Sequence, residues 1–189
     1  MIVFDPLVQL TLSLGFGLLL TISGLSKLSN RESFESVLRG YDLLMEKVVP
    51  SGAVLIGGLE LGLGLLWFSL SESKFVVVGS SLLLLTYALV ITINLVRGRN
   101  YIDCGCSFSS LRANHNRSSS GLSFHLVYRN IVLMCFAFLT LVPVFEREFN
   151  VLDYFIIFFA LACSVLFYGA MSQLLVNRST INSWRQGDA

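Results

Sequence analysis

The chain has little charge. Asp, Glu, Lys and Arg make up 13% of its 189 residues, against roughly 25% in soluble domains. With 54% of residues hydrophobic, that deficit excludes an ordinary water-soluble domain. Net charge is +1, and there is no basic arm or phosphate-cradling glycine loop, so nucleic-acid binding is not expected. The apolar runs do not alternate in a period of two, which excludes membrane-spanning strands. No Lys or Arg precedes the first apolar run and no small-x-small site follows it. That run is therefore not a cleavable signal and is expected to stay in the mature protein. No internal repeat and no second domain is found, so residues 1–189 read as one transmembrane helical domain.

What remains is a set of long apolar stretches. A helix needs about 20 apolar residues to cross the hydrocarbon of a bilayer. In lipid its backbone groups are satisfied within the helix. The sequence predicts an all-α integral membrane protein, a bundle of about five transmembrane helices. Spans are expected near residues 7–28, 50–70, 75–96, 122–144 and 151–176, with a frayed polar tail over 177–189. Asp5-Pro6 suits the start of the first. Between spans one and two, Phe34, Val37, Leu38, Tyr41, Leu44 and Met45 recur at three- and four-residue intervals among charged residues. This predicts an interfacial amphipathic helix within residues 27–47, capped by Asn30.

Several positions carry chemistry or close packing. Gly58 and Gly62 form a GxxxG pair, predicting a close helix contact there. Glu60 falls near the middle of its span, where an ionisable group is costly unless paired. Asn94 lies just inside the end of span three, and Arg129-Asn130 a couple of turns into span four. Pairing lowers the cost of charge in lipid. Glu60 and Arg129 are therefore expected to be neighbours, with Asn94 or Tyr128 completing the hydrogen bonds. Tyr87 reads only as polar punctuation in its span.

The cysteines fall into two classes. Cys135 and Cys163 lie inside spans and read as small packing residues. Cys104 and Cys106 flank one glycine in the long polar loop of residues 98–121, where span three ends. A disulfide across one intervening residue closes a very small ring, so it should be strained and fairly oxidising. Arg97 and Arg99 favour the reactive thiolate, while Asp103 opposes it or accepts a proton. A two-thiolate metal site with His115 or His125 is the alternative chemistry, although structural zinc normally takes two such pairs. No metal site is assigned.

These residues together resemble the MauE family, which is related to the DoxX-type membrane proteins. The resemblance rests on Ser23-Gly24-Leu25-Ser26-Lys27-Leu28, Tyr41, Pro50 and Glu60. It continues through Asn94-Leu95-Val96-Arg97-Gly98-Arg99, Asp103-Cys104-Gly105-Cys106 and Arg129-Asn130, and covers roughly residues 7–145. The family's dicysteine usually runs on into Phe-Gly; here Ser107-Phe108-Ser109 follows. The resemblance implies a multi-pass protein of the bacterial inner membrane that assists maturation of a disulfide-rich client beside a thioredoxin-like partner. By it, Cys104 and Cys106 are the redox pair, supported by Glu60, Asn94 and Arg129. Lys27, Asp103 and Asn130 fall in the same matched motifs and join that polar group. The expected function is a membrane thiol–disulfide relay. No cofactor is required, and a membrane quinone is a candidate electron acceptor. The alternatives are a non-catalytic scaffold subunit of a membrane complex and a metal-handling protein.

Orientation follows from charge. With five spans, eleven of the thirteen Lys and Arg residues share the side of the dicysteine loop, leaving only Lys74 and Arg147 opposite. The positive-inside rule places that loop in the cytoplasm, with the N-terminus outside. A periplasmic thioredoxin-like partner requires the reverse. Labelling of cysteines engineered at the two ends of the chain, in intact and permeabilised cells, tests the five-span topology. The ends are expected to label from opposite faces, and labelling from one face refutes five spans.

Overall fold

The computed structural model describes residues 5–42, 45–69, 73–97, 124–145 and 148–187. Helix α1 (Pro6–Ser29) begins where Asp5 Oδ1 accepts the Leu7 N–H at 2.9 Å. Proline in the first turn costs no hydrogen bond there. Helix α2 (Arg31–Tyr41) follows after Asn30 alone. The Asn30 carbonyl accepts the Phe34 N–H at 3.1 Å, but its side chain makes no cap bond, unlike the expectation. The amphipathic helix is also shorter than the pattern suggested, ending at Asp42 in the left-handed conformation with φ 50°. Helices α3 (Val49–Ser69) and α4 (Lys74–Val96) match their expected spans to within a residue.

Helix α5 (Phe124–Leu139) stops short of the expected residue 144. Pro143 lacks an N–H and disfavours helical backbone at Val142. The chain instead tightens into i→i−3 bonds from Thr140, Leu141 and Val142. Gln9 Nε2 then donates to the Thr140 carbonyl at 3.0 Å, tying this turn to the start of α1. Helix α6 (Val151–Gly187) starts with Asp153 Oδ2 accepting the Asn150 N–H at 2.8 Å, a capping interaction. It continues through the segment expected to fray. Its 37 residues would extend about 55 Å at helical rise, well beyond the roughly 30 Å of hydrocarbon.

Three of these helices, α1, α3 and α4, are long and apolar enough to cross a membrane. Shorter apolar stretches run over Leu126–Leu139 and Val151–Phe167. Among the described residues the helices carry all the regular structure of a multi-pass, all-α membrane protein. Large apolar side chains such as Leu55, Leu82, Leu89, Phe155 and Phe158 are exposed on the outer faces, as a lipid-embedded bundle requires.

The bundle is built on an antiparallel pair, α1 and α3. On α1 the buried positions Ser13, Gly17, Leu20, Gly24 and Lys27 alternate spacings of four and three. On α3, Ala53, Gly57, Glu60, Gly64 and Trp67 do the same. This is the heptad spacing of a left-handed helix pair. The contact is very close. A β-carbon on Gly24 would lie 2.6 Å from the Leu61 nitrogen, and one on Gly64 would lie 2.6 Å from the Thr21 nitrogen. One on Gly57 would meet the Leu28 side chain at 2.9 Å. The GxxxG pair is not the contact: around Gly58 and Gly62 there is nothing within 4 Å. Those glycines lie one helical face away from the seam that α1 occupies.

Two apolar cores flank the middle of this pair. One joins Phe34, Leu38 and Tyr41 of α2 to Val49, Ala53 and Ile91. The apolar face of α2 is thus buried against the bundle. The other joins Phe16, Leu20, Trp67, Val76, Val77, Leu84 and Ala137. There Phe16 stacks on Trp67 at 5.1 Å, and Trp67 Nε1 donates to Ser80 Oγ at 2.8 Å. Overpacking a tight contact costs about 1–3 kcal/mol. Gly24→Ala and Gly64→Ala are each expected to destabilise the protein by at least that range's lower end. Gly58→Ala and Gly62→Ala are expected to leave stability equal or higher, since alanine is the better helix former. Unfolding of the purified protein in detergent measures both pairs.

Candidate functional site

Between the two cores, the α1–α3 seam carries charge. Lys27 and Glu60 occupy equivalent seam positions on their helices, and both are buried, at 4% and 1% exposure. Lys27 Nζ donates to Glu60 Oε1 at 2.5 Å. Helix α4 closes the group with Tyr87. Its hydroxyl donates to the same Glu60 oxygen at 2.6 Å and accepts from Lys27 Nζ at 2.9 Å. The Lys27 ammonium also lies 4.6 Å from the centre of the Tyr87 ring and 5.2 Å from that of Phe34 on α2. Four helices therefore converge on one ammonium group. Cation–π contacts and hydrogen bonds supply part of what water would give it.

Glu60 thus has a basic partner inside the bundle, as its depth required, but the partner differs from the expected one. Among the described residues Glu60 bonds Lys27 and Tyr87, not Arg129. The reason is the glycine seam, which brings α1 against α3 at this level, whereas α5 packs chiefly on α4. Nor does Tyr128 complete the cluster: it is 66% exposed. Tyr87 takes that part. Its signal was present in the sequence, seven residues before Asn94 and so two turns away on the same face of α4.

Further buried polar side chains lie near the end of α4 and in the first turns of α5. Asn94 is fully buried and donates from Nδ2 to the Val90 carbonyl at 3.0 Å. Among the described residues its Oδ1 and the Nδ2 of buried Asn130 have no hydrogen-bond partner. Arg129 is half-buried beside Asn130. Leu126 and Val127, one turn before them, pack on the core that contains Ile91. Lys27 and Glu60 are thus brought together, while Asn94, Arg129 and Asn130 lie on the helices leading into and out of the loop.

Cys104, Cys106, Asp103, His115 and the loop 98–121 lie outside the described residues, as does the His125 side chain. Cys135 and Cys163 are free and exposed on the surfaces of α5 and α6, not buried as packing thiols. Among the described residues no three His, Cys, Asp or Glu side chains converge as a metal site requires.

Removing one member of a buried ion pair costs about 3–5 kcal/mol, because the other charge is left unpaired. Lys27→Met and Glu60→Leu are each expected to destabilise the protein by that order. The double variant Lys27→Met/Glu60→Leu is expected to be more stable than either single one. Tyr87→Phe removes a hydrogen bond to a charged group and is expected to cost about 1.5–3 kcal/mol. A double-mutant cycle on unfolding in detergent measures the coupling. Additive single effects would show that the pair is not coupled.

Comparison with known proteins bears on the whole arrangement. The family described as "Methylamine utilisation protein MauE" matches residues 5–143. That stretch contains Lys27, Glu60, Tyr87, Asn94, Cys104, Cys106 and Arg129 and ends before α6. The methylamine utilization protein MauE of Paracoccus denitrificans is 32% identical over 135 residues, covering 70% of this chain and 68% of that protein. That of Methylophilus methylotrophus is 32% identical over 102 residues, covering 54% of each chain. That of Methylorubrum extorquens is 31% identical over 129 residues, covering 67% of this chain and 66% of its own. No solved structure matches significantly. With the match extending over well more than half its length, this chain belongs to the MauE family.

Proposed function

We propose that this protein is a membrane thiol–disulfide relay that acts through Cys104 and Cys106. It serves as an accessory to the maturation of a disulfide-containing partner, in a role like that of its methylamine-utilization relatives. The observation that carries this reading is the Cys104-Gly105-Cys106 sequence itself, placed inside the family-matched stretch and joined to the ends of α4 and α5. Support comes from the buried Asn94 and Asn130, whose polar atoms lie on the helices flanking the loop. The helical bundle, on this reading, is the rigid base that presents the dithiol at a membrane face.

The chemistry is thiol–disulfide exchange. The Cys106 thiolate attacks a disulfide sulfur of the partner, forming a mixed disulfide and releasing one partner thiolate. The Cys104 thiolate then attacks Cys106 Sγ. The partner leaves with two reduced sulfurs, and Cys104–Cys106 becomes the disulfide. Run in reverse, the same two exchanges oxidise the partner and leave the loop as a dithiol. Returning the dithiol to the disulfide releases two protons and two electrons, which a membrane quinone, as two-electron oxidant, would accept. The partner is a thioredoxin-like protein or the client itself, and the site of action is the bacterial inner membrane.

Cys106 leads away from the helix end and is assigned the attacking role; Cys104 is nearer Arg97 and Arg99 and resolves. Cys104→Ser is therefore expected to accumulate a mixed disulfide through Cys106, visible on non-reducing gels after acid quenching. Cys106→Ser should trap little. Cys135→Ser and Cys163→Ser should leave activity intact. If both loop cysteines can be serine without loss of partner maturation, the relay reading fails and a scaffold subunit takes its place.

A further inference from the structure

We propose that Glu60 Oε2 binds a single water molecule, making Lys27, Glu60 and Tyr87 a hydrated site inside the bundle. The inference stands independently of the thiol chemistry. Its basis is an imbalance between the two carboxylate oxygens. Oε1 accepts from both Lys27 and Tyr87, while Oε2 is buried with no hydrogen-bond partner among the described residues. Glu60 is only 1% exposed, so bulk solvent does not reach that oxygen. A carboxylate oxygen left bare in an apolar interior is strongly unfavourable, and such groups are normally satisfied by protein or by ordered water. The missing partner is a hydrogen-bond donor.

The packing around Glu60 restricts what that donor can be. On either side of Glu60, the seam is closed by Gly57 against Leu28 and by Gly64 against Thr21. Even a methyl group is too large at Gly24 and Gly64, where it would meet backbone atoms at 2.6 Å. No ring or chain enters between α1 and α3. Water brings only a single heavy atom, and it donates where Oε2 accepts. It can also accept: an ammonium has three donors, and Lys27 uses two, on Glu60 and Tyr87. A water between Lys27 Nζ and Glu60 Oε2 would use one donor and one acceptor that are otherwise left over. Buried waters commonly make about three such bonds.

Radiolytic hydroxyl labelling tests this, because bound water generates the label where it resides. The full chain is irradiated in lipid nanodiscs and read residue by residue by mass spectrometry. Rates are normalised for intrinsic reactivity. Tyr87, which is half-buried, is expected to label several-fold faster in the wild type than in Glu60→Met, with Trp67, 1% exposed in the apolar core, as the internal reference. Glu60→Gln keeps hydrogen-bonding atoms at both positions and should retain that rate. Glu60→Met should lower the Tyr87 rate several-fold, with Trp67 unchanged as the check on folding. If Glu60→Met does not fold, the double variant Lys27→Met/Glu60→Leu takes its place. Tyr87 labelling as fast in the folded variant as in the wild type overturns the proposal.

Discussion

A β-carbon at Gly24 would sit 2.6 Å from a backbone nitrogen of α3, a separation no side chain tolerates. Everything at the centre of the bundle depends on that contact. Helices in lipid gain nothing from burying apolar surface against one another, because lipid tails are equally apolar. They associate through close packing and polar contacts. Glycines at Gly24, Gly57 and Gly64 provide the first, and Lys27 with Glu60 provides the second. The two are linked geometrically. Both lie on one heptad seam, so the glycines set the distance at which the lysine meets the carboxylate.

The ion pair in turn organises its neighbours. It separates the apolar core around Trp67 from the one around Tyr41 and Ile91. Tyr87 brings α4 into register with α1 and α3 through two hydrogen bonds. Phe34 brings α2 under the Lys27 ammonium, so the short amphipathic helix is held to the bundle. On its outer side, α2 carries Arg31, Glu35 and Arg39 in i,i+4 pairs. Such exposed pairs contribute only a few tenths of a kcal/mol each. The buried pair, where water is excluded, is the stronger constraint on which helices meet.

The proposed relay uses the other end of this frame. Asn94 lies two turns beyond Tyr87 on α4, close to where the chain leaves the helix toward Cys104. The buried cluster and the loop are therefore connected through one helix face. Fully buried Asn94 and Asn130 mark α4 and α5 as closely packed at the base of the loop. A dithiol that must meet a partner in fixed geometry needs such a base, because loose attachment would spread its orientations.

Much of this protein was determined by sequence alone. Apolar runs of some 20 residues, the scarcity of charge and the absence of alternation decide an all-α membrane protein, because an unsatisfied backbone cannot cross lipid. Span boundaries for α1, α3 and α4 followed from where those runs end, and the α2 face from its periodicity. The family was legible in the dicysteine block and the residues around it. Glu60 was legible as a costly charge and Lys27 only as part of a family-matched motif, and neither as the other's partner. Which glycines of α3 pack was not legible either: Gly57 and Gly58 are adjacent, and only the rotation of α3 toward α1 selects the first. Helix pairing decides that rotation. A sequence displays each helix's faces without saying which neighbour covers them. The tertiary structure therefore decided that Glu60 meets Lys27 and Tyr87 rather than Arg129, since the partner of a buried charge is whichever group the packed backbones bring within reach.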